Sequence, residues 1–278
     1  MTGIIDVGGG LRGAFGAGVL DRFLELGINF DYCLGVSAGS ANLITYLAKQ
    51  PYRTRVFYTQ YSMRPEYMSF HNLRKKGSYV DLDYVYGVLS NDDGENPLDF
   101  DTFLQYDGIY KAVATDADTG EALYFDKSYL EKNNYAVLKA SCCLPVACKP
   151  VKVKEYSCFD GGIADPVPVK KAVEDGCQKI VLILTRPVNE IRQAGSDATA
   201  AKILSLQYPE AAKRLADRFV RYNEGVALAK ELEAQGKALI IAPDDISGLK
   251  TLTKDMDKID SLYKQGYNAA EKIIDFMK

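Results

Sequence analysis

Gly35-Val36-Ser37-Ala38-Gly39 holds a serine between two glycines, the spacing of a nucleophile on a turn too sharp for side chains on either flank. Phe30–Leu34 before it is aromatic and aliphatic enough for a short buried strand. Ala38–Ala48 after it, rich in Ala, Leu and Ile, reads as a helix. In that setting the Ser37 hydroxyl stands at a helix N-terminus, where amide dipoles stabilise developing negative charge. With 23 glycines among 278 residues, roughly 0.09 chance matches to this pattern are expected, so its strand–helix context has to support it.

A second glycine segment begins the chain. Thr2–Val7 reads as a strand, Gly8-Gly9-Gly10-Leu11-Arg12-Gly13 as a loop, and Ala14–Leu26 as a helix stopped by Gly27. Gly8, Gly10 and Gly13 also satisfy a dinucleotide-binding spacing, which wants an acidic residue at the end of the second strand. Asp31 is the candidate by spacing, but it lies at the start of that strand, and Ser37 stands at its end. The better reading opens both loops at the carboxyl edge of neighbouring parallel strands. The glycine amides then face the serine hydroxyl as an oxyanion hole, because glycine lets N–H groups turn toward a ligand unobstructed.

An activated serine needs a base, and the chain has a single histidine, His71, in Ser69-Phe70-His71-Asn72-Leu73. Nothing there resembles a base-bearing loop after a strand, and in α/β-hydrolases the histidine comes last in chain order. The other candidate is Asp160, which the run ending at Phe159 delivers to a strand end, with Gly161 and Gly162 turning the chain away. The residues alone leave Asp160 between a base and an ordinary Asp-Gly turn.

The order G-G-G-x-R-G, G-x-S-x-G, D-G-G resembles the patatin-like phospholipase family, and so does Ala140-Ser141 before Pro145. The resemblance covers roughly residues 1–190, with a weaker likeness to the helical tail of bacterial members beyond. It implies a three-layer α/β fold, a mainly parallel sheet sandwiched by helices. It implies Ser37 as nucleophile and Asp160 as the general base of a dyad, with an oxyanion hole from the amides of Gly8, Gly9 and Gly10. Arg12 falls at the family's basic position, and Gly13, Gly35, Gly39, Gly161 and Gly162 support the motifs. The glycine run is three long where many members have four, which leaves open which two amides act. No metal or cofactor is implied. The implied substrate is a lipid or other acyl ester, in a phospholipase A or lysophospholipase reaction. The alternatives are a short-chain esterase or thioesterase on the same dyad, or a nucleotide-binding protein using Gly8–Gly13.

Composition agrees with one extended domain over 1–278, a motif-bearing core to about 190 and a helical part beyond. Net charge −3 argues against nucleic acid as a default partner. No apolar run reaches about 18 residues, so no transmembrane helix is expected. The first strand starting at Thr2 leaves no room for a signal peptide. Six irregularly spaced cysteines, without a C-x-x-C pair, read as reduced thiols in a cytoplasmic chain rather than zinc ligands. Ile109–Thr115 and Glu121–Phe125 flank Asp116–Gly120 as a hairpin; Lys179–Thr185 and Ala238–Ala242 read as further strands. The tyrosine-rich insertion Pro51–Gln105 follows the serine helix and is expected either in the core or as a cap over the site. Pro209–Gln235 and Asp255–Met277 read as long amphipathic helices that pack on the sheet, with charges that would also allow transient contact with a membrane surface.

Overall fold

The computed structural model describes residues 1–277 except Ser247. Eight strands form one sheet: β1 (Thr2–Asp6), β2 (Tyr32–Val36), β3 (Ile109–Asp116), β4 (Ala122–Asp126), β5 (Val151–Val153), β6 (Tyr156–Asp160), β7 (Lys179–Ile183) and β8 (Ala238–Ile241). Their order is β5-β6-β3-β2-β1-β7-β8, with β4 also on β3. The centre is parallel, and β4, β5 and β6 add an antiparallel margin.

Strand alternation splits the apolar residues between the two faces. Ile4, Cys33, Val181, Ile183 and Ile241 belong to one core. Ile5, Tyr32, Leu34, Leu182 and Ile240 belong to the other. Helices α1 (Ala14–Glu25), α2 (Ala38–Leu47) and α3 (Arg53–Thr59) carry residues of the first core, and the three layers follow. Further along come α4 (Phe70–Lys76), α5 (Phe100–Leu104), α6 (Ala136–Ser141), α7 (Val169–Glu174), α8 (Asp197–Leu204), α9 (Pro209–Ala216), α10 (Arg218–Ala234) and α11 (Met256–Ala269). Helices α7 and α10 cover the second face through Val169, Ala172, Tyr222, Val226 and Ala229. On the first face α11 lies on α1 at very short range. A Cβ on Gly18 would sit 2.1 Å from the Tyr263 carbonyl oxygen, and one on Gly266 2.0 Å from that of Phe15.

The expected hairpin is present as β3 and β4, its turn held by Asp116 Oδ1 accepting from the amides of Asp118 and Thr119. One expectation needs correction: 209–235 is two helices, interrupted at Asp217. The Arg221 guanidinium bridges the break. It donates to the carbonyl of Arg214 in the last turn of α9 and to those of Ile163 and Ala164. The second stretch likewise ends its regular helix at Ala269 and continues as shorter turns. The apolar side of α11, Ile259, Leu262 and Tyr263, is turned inward. Among the described residues no helix is long and apolar enough to cross a membrane.

Candidate active site

Ser37 lies between β2 and α2 with φ 54° and ψ −132°, a conformation that L-residues rarely adopt and that tight surroundings must maintain. The neighbours leave no alternative. A Cβ on Gly35 would meet the Ser40 Cα at 2.3 Å, and one on Gly39 the Asp6 carbonyl oxygen at 2.1 Å. The Ser37 amide donates to Ser141 Oγ (2.9 Å), which in turn donates to the Val113 carbonyl (2.7 Å). The elbow is thereby tied to the end of α6 and to β3.

The strand registers explain how Asp160 arrives beside it. Along one edge of β3, β4 pairs with residues 111–115. Along the other, β2 pairs as far as Val36 opposite Val113, and the antiparallel β6 pairs from there on, its last residue Asp160 opposite Ala114. At Ser37 the chain leaves the sheet, and β6 takes up the edge that β2 vacates. Asp160 therefore follows Val36 along the β3 edge, and Thr115 Oγ1 donates to its carbonyl at 2.8 Å.

The Asp160 carboxyl is buried. Oδ1 accepts the Gly162 amide at 2.8 Å, while Oδ2 has no hydrogen bond among the described residues. Burial raises the pKa; the nearby Ser37 side chain as donor, the Gly162 amide and the charge of Arg218 pull it back only in part.

The glycine loop lies over the elbow at the carboxyl end of β1. A Cβ on Gly8 would fall 2.3 Å from the Val36 carbonyl and 2.8 Å from the Ala38 amide. The Gly8 amide is already bonded to Asp6 Oδ1 (2.9 Å), and its carbonyl accepts from Thr185 Oγ1. The amides of Gly9 and Gly10 carry no such bond among the described residues. Of the three glycines, Gly8 is thus the one whose amide is not available to an oxyanion. Asp6 itself is fully buried, its other oxygen accepting from Asn42 (2.9 Å), and burial pushes its pKa up to about 6. Arg12 is also buried. It donates to Thr251 Oγ1 at 3.3 Å, its Nε has no partner among the described residues, and burial followed by the charges of Arg186 and Arg192 brings its pKa down to about 9.

Two cavities meet at Ser37, each enclosing about 730 Å³ including its mouth. The first is lined by Ala41, Phe57, Tyr67, Leu82, Val85 and Leu89 among others, so the tyrosine-rich insertion supplies most of an apolar wall. The second is polar: Gly8, Gly9, Gly10, Arg12, Asp160 and Gly162 line it together with Arg186, Arg192 and Arg218. Gly13, Gly35, Gly39 and Gly161 lie behind these surfaces as close-packing positions. His71 is elsewhere, exposed on α4. Asp31 sits at the amino edge of the sheet, its carboxylate accepting from the Thr2 amide at 2.7 Å, far along β2 from the glycine loop.

Sequence reasoning missed Asp6, Ser141, Thr185 and the three arginines. Ser141 had a signal in the Ala140-Ser141 pair, and Thr185-Arg186 one in its position just past a parallel strand next to the first. For Arg192 and Arg218 no sequence signal stood out.

A serine on a strained strand-to-helix turn at the carboxyl edge of a three-layer α/β sheet, roofed by a glycine loop, defines the class of protein. The chain belongs to the patatin-like phospholipase family, whose model matches residues 7–173. A second model, a domain of unknown function, matches residues 208–278. The chain is similar to the uncharacterized protein YjjU of Escherichia coli K12, 31% identical over 190 residues, covering 66% of this chain and 52% of that protein. It therefore spans about half the length of this curated relative. Among solved structures it is similar to VipD from Legionella pneumophila, at 12% identity and TM-score 0.49, over 99% of this chain and 66% of that one.

Proposed function

We propose that this protein is a serine acyl hydrolase that cleaves lipid-like carboxylic esters, of phospholipase A or lysophospholipase type. Family membership supports lipid acyl hydrolysis in general. The observation that carries the finer reading is the buried Asp160 carboxyl, with one oxygen unbonded, beside the strained Ser37 elbow.

Ser37 Oγ attacks the ester carbonyl carbon and its proton passes to Asp160. The carbonyl oxygen, now negative, is held by the amides of Gly9 and Gly10. The C–O bond to the alcohol breaks as Asp160 returns the proton to that oxygen. Water then attacks the acyl-enzyme, Asp160 takes its proton, and Ser37 regains one as the carboxylic acid leaves. A free carboxylate, with a pKa of about 3.9, is a weak base for a serine hydroxyl. Desolvation of Asp160 raises its basicity in the needed direction. Preorganised amides contribute a further share; one such donor is worth about 10²–10³ in turnover elsewhere.

The apolar cavity accommodates the acyl chain, and access to such a substrate brings the protein transiently to a lipid surface. The test is covalent labelling by a fluorophosphonate together with hydrolysis of short acyl esters, lysolipids and diacyl phospholipids. Labelling confined to Ser37 and preference for long acyl chains are expected. Absence of labelling, or preference for the shortest chains, would reject the lipid reading.

A further inference from the structure

The second cavity is more cationic than hydrolysis of a neutral ester requires. Arg12, Arg186, Arg192 and Arg218 all line it. Asp197 is shared: Arg218 binds both of its oxygens, at 2.6 and 2.8 Å, and Arg192 reaches one at 3.4 Å. Arg186 is paired with Glu190, and Arg12 makes no ion pair among the described residues. Four guanidinium groups thus face Asp197, Glu190 and Asp160. The cavity keeps one net positive charge with Asp160 ionised and two with it protonated.

These arginines are held in place. Arg192 lies over the ring of Tyr222 at 4.9 Å, and Asn223 brackets its backbone, accepting from its amide and donating to its carbonyl at 3.0 Å each. Arg12, Arg192 and Arg218 are largely buried, so their forks are preorganised rather than free in solvent. Packing like charges together under partial burial is unfavourable without an anion, and burial together with the neighbouring arginines lowers the pKa of both Arg12 and Arg192.

Ser37 lines both cavities. With the acyl chain on the apolar side, the alcohol side of the ester must face the arginines. We propose that this alcohol carries a phosphate monoester, read by Arg186, Arg192 and Arg218 with Arg12 at the inner end of the cavity. The inference rests on the acyl-hydrolase reading above. A monoester brings a charge of about −1.5 to −2 and three acceptor oxygens, which suits several forks. A phosphocholine group fits the cavity less well on the same grounds. The ring of Tyr222, where a quaternary ammonium would find a cation–π surface, is occupied by Arg192, and the carboxylates of Asp197 and Glu190 are already paired. The C-terminal segment of unknown function gains a role, since Arg218, Tyr222 and Thr251 belong to it: it walls the alcohol side and supplies part of the anion selectivity.

The test uses the full chain and three 1-acylglycerols of one chain length, bearing at position 3 a hydroxyl, a phosphate or a phosphocholine. The phosphate compound should have the highest kcat/KM, exceeding the choline compound by about 10–100-fold. In Arg192→Gln the phosphate-to-hydroxyl ratio should drop by at least about tenfold, chiefly through KM, with partial recovery in Arg192→Lys. Glycerol 3-phosphate should bind the Ser37→Ala protein by calorimetry, more tightly than inorganic phosphate. Equal kcat/KM for the three wild-type substrates overturns the proposal, whether or not the variants fold. Equal binding of inorganic phosphate and glycerol 3-phosphate, without substrate preference, would identify a site for free phosphate and overturn it as well. Glycerol 3-phosphate binding that depends on Arg192, with no ester hydrolysed at all, would support the anion site and refute the hydrolase reading instead.

Discussion

Asp160→Asn separates catalysis from stability in opposite directions. The substitution preserves shape: the side-chain oxygen can still accept the Gly162 amide, bonded now at 2.8 Å. What disappears is the carboxylate that takes the serine proton. General-base catalysis contributes about 10²–10⁴ in rate, or about 2.7–5.4 kcal/mol at about 1.36 kcal/mol per decade, and kcat should drop by that much. Stability should not drop with it. Folding raises the Asp160 pKa, chiefly by desolvation, so the native state favours the protonated form. This contribution to stability is fully present below the unfolded value of about 3.9 and is lost as pH rises through the native value. Above that native value the wild type carries a buried, half-bonded charge that the amide lacks. The variant's Tm at pH 7 should therefore equal or exceed that of the wild type, and the difference should shrink toward pH 4. The assay is turnover of a soluble ester beside thermal denaturation from pH 4 to 8. A kcat within about threefold of wild type would remove Asp160 from the chemistry. A large loss of kcat with a Tm lowered by many degrees would reduce it to a packing residue.

Ser37→Ala should abolish both hydrolysis and fluorophosphonate labelling in a folded protein, whereas Ser40→Ala should keep activity and lose its bond to the Ser37 carbonyl, about 0.5–1.5 kcal/mol of stability; retained turnover in Ser37→Ala refutes the assignment. The acid limb of wild-type kcat/KM should lie above the ordinary carboxylate range, because Asp160 must be ionised to act and burial raises its pKa; a limb at or below pH 4 would contradict this. Gly9→Ala should cut turnover by about 10–10³ with a smaller change in substrate binding, since φ there is +124° and the new Cβ would sit 2.7 Å from Thr185 Oγ1 and 3.2 Å from an Arg12 nitrogen; unchanged kcat would move the oxyanion hole elsewhere. Ser141→Ala should destabilise by about 1–3 kcal/mol, leaving the buried Ser37 amide unpaired, and lower kcat as the elbow loosens. His71→Ala should leave both activity and Tm unchanged within error, because the side chain is exposed on α4; a drop in kcat of tenfold or more would restore the histidine as a base.

The residues around Ser37 and Gly8–Gly10 were legible because the constraints on them are local. A short run of buried apolar residues, a glycine-flanked turn and a helix start lie within a dozen positions, and so the parallel β1–β2 pair and both loops could be read directly. The hairpin at Asp116–Gly120 was legible for the same reason. Asp160 could be nominated from its Phe159-Asp160-Gly161 setting but not placed. Its position depends on β6 taking over the β3 edge that β2 leaves, and backbone hydrogen-bonding groups at a strand edge are the same whichever strand fills it. Which strand does so is decided by packing of the whole sheet. The Ser37–Ser141–Val113 relay is decided in the same way, by contacts that form only once the layers close, whereas the Gly8 amide reaches back only two residues to Asp6. The arginine cavity is furthest from sequence reading: Arg12, the pair Arg186 and Arg192, and Arg218 come from three distant places along the chain. The interruption at Asp217, which starts α10 at Arg218, is bridged by Arg221, whose guanidinium bonds the end of α9. Local propensity told where a serine could be sharpened into a nucleophile; only the folded sheet and its C-terminal wall decided what stands opposite it.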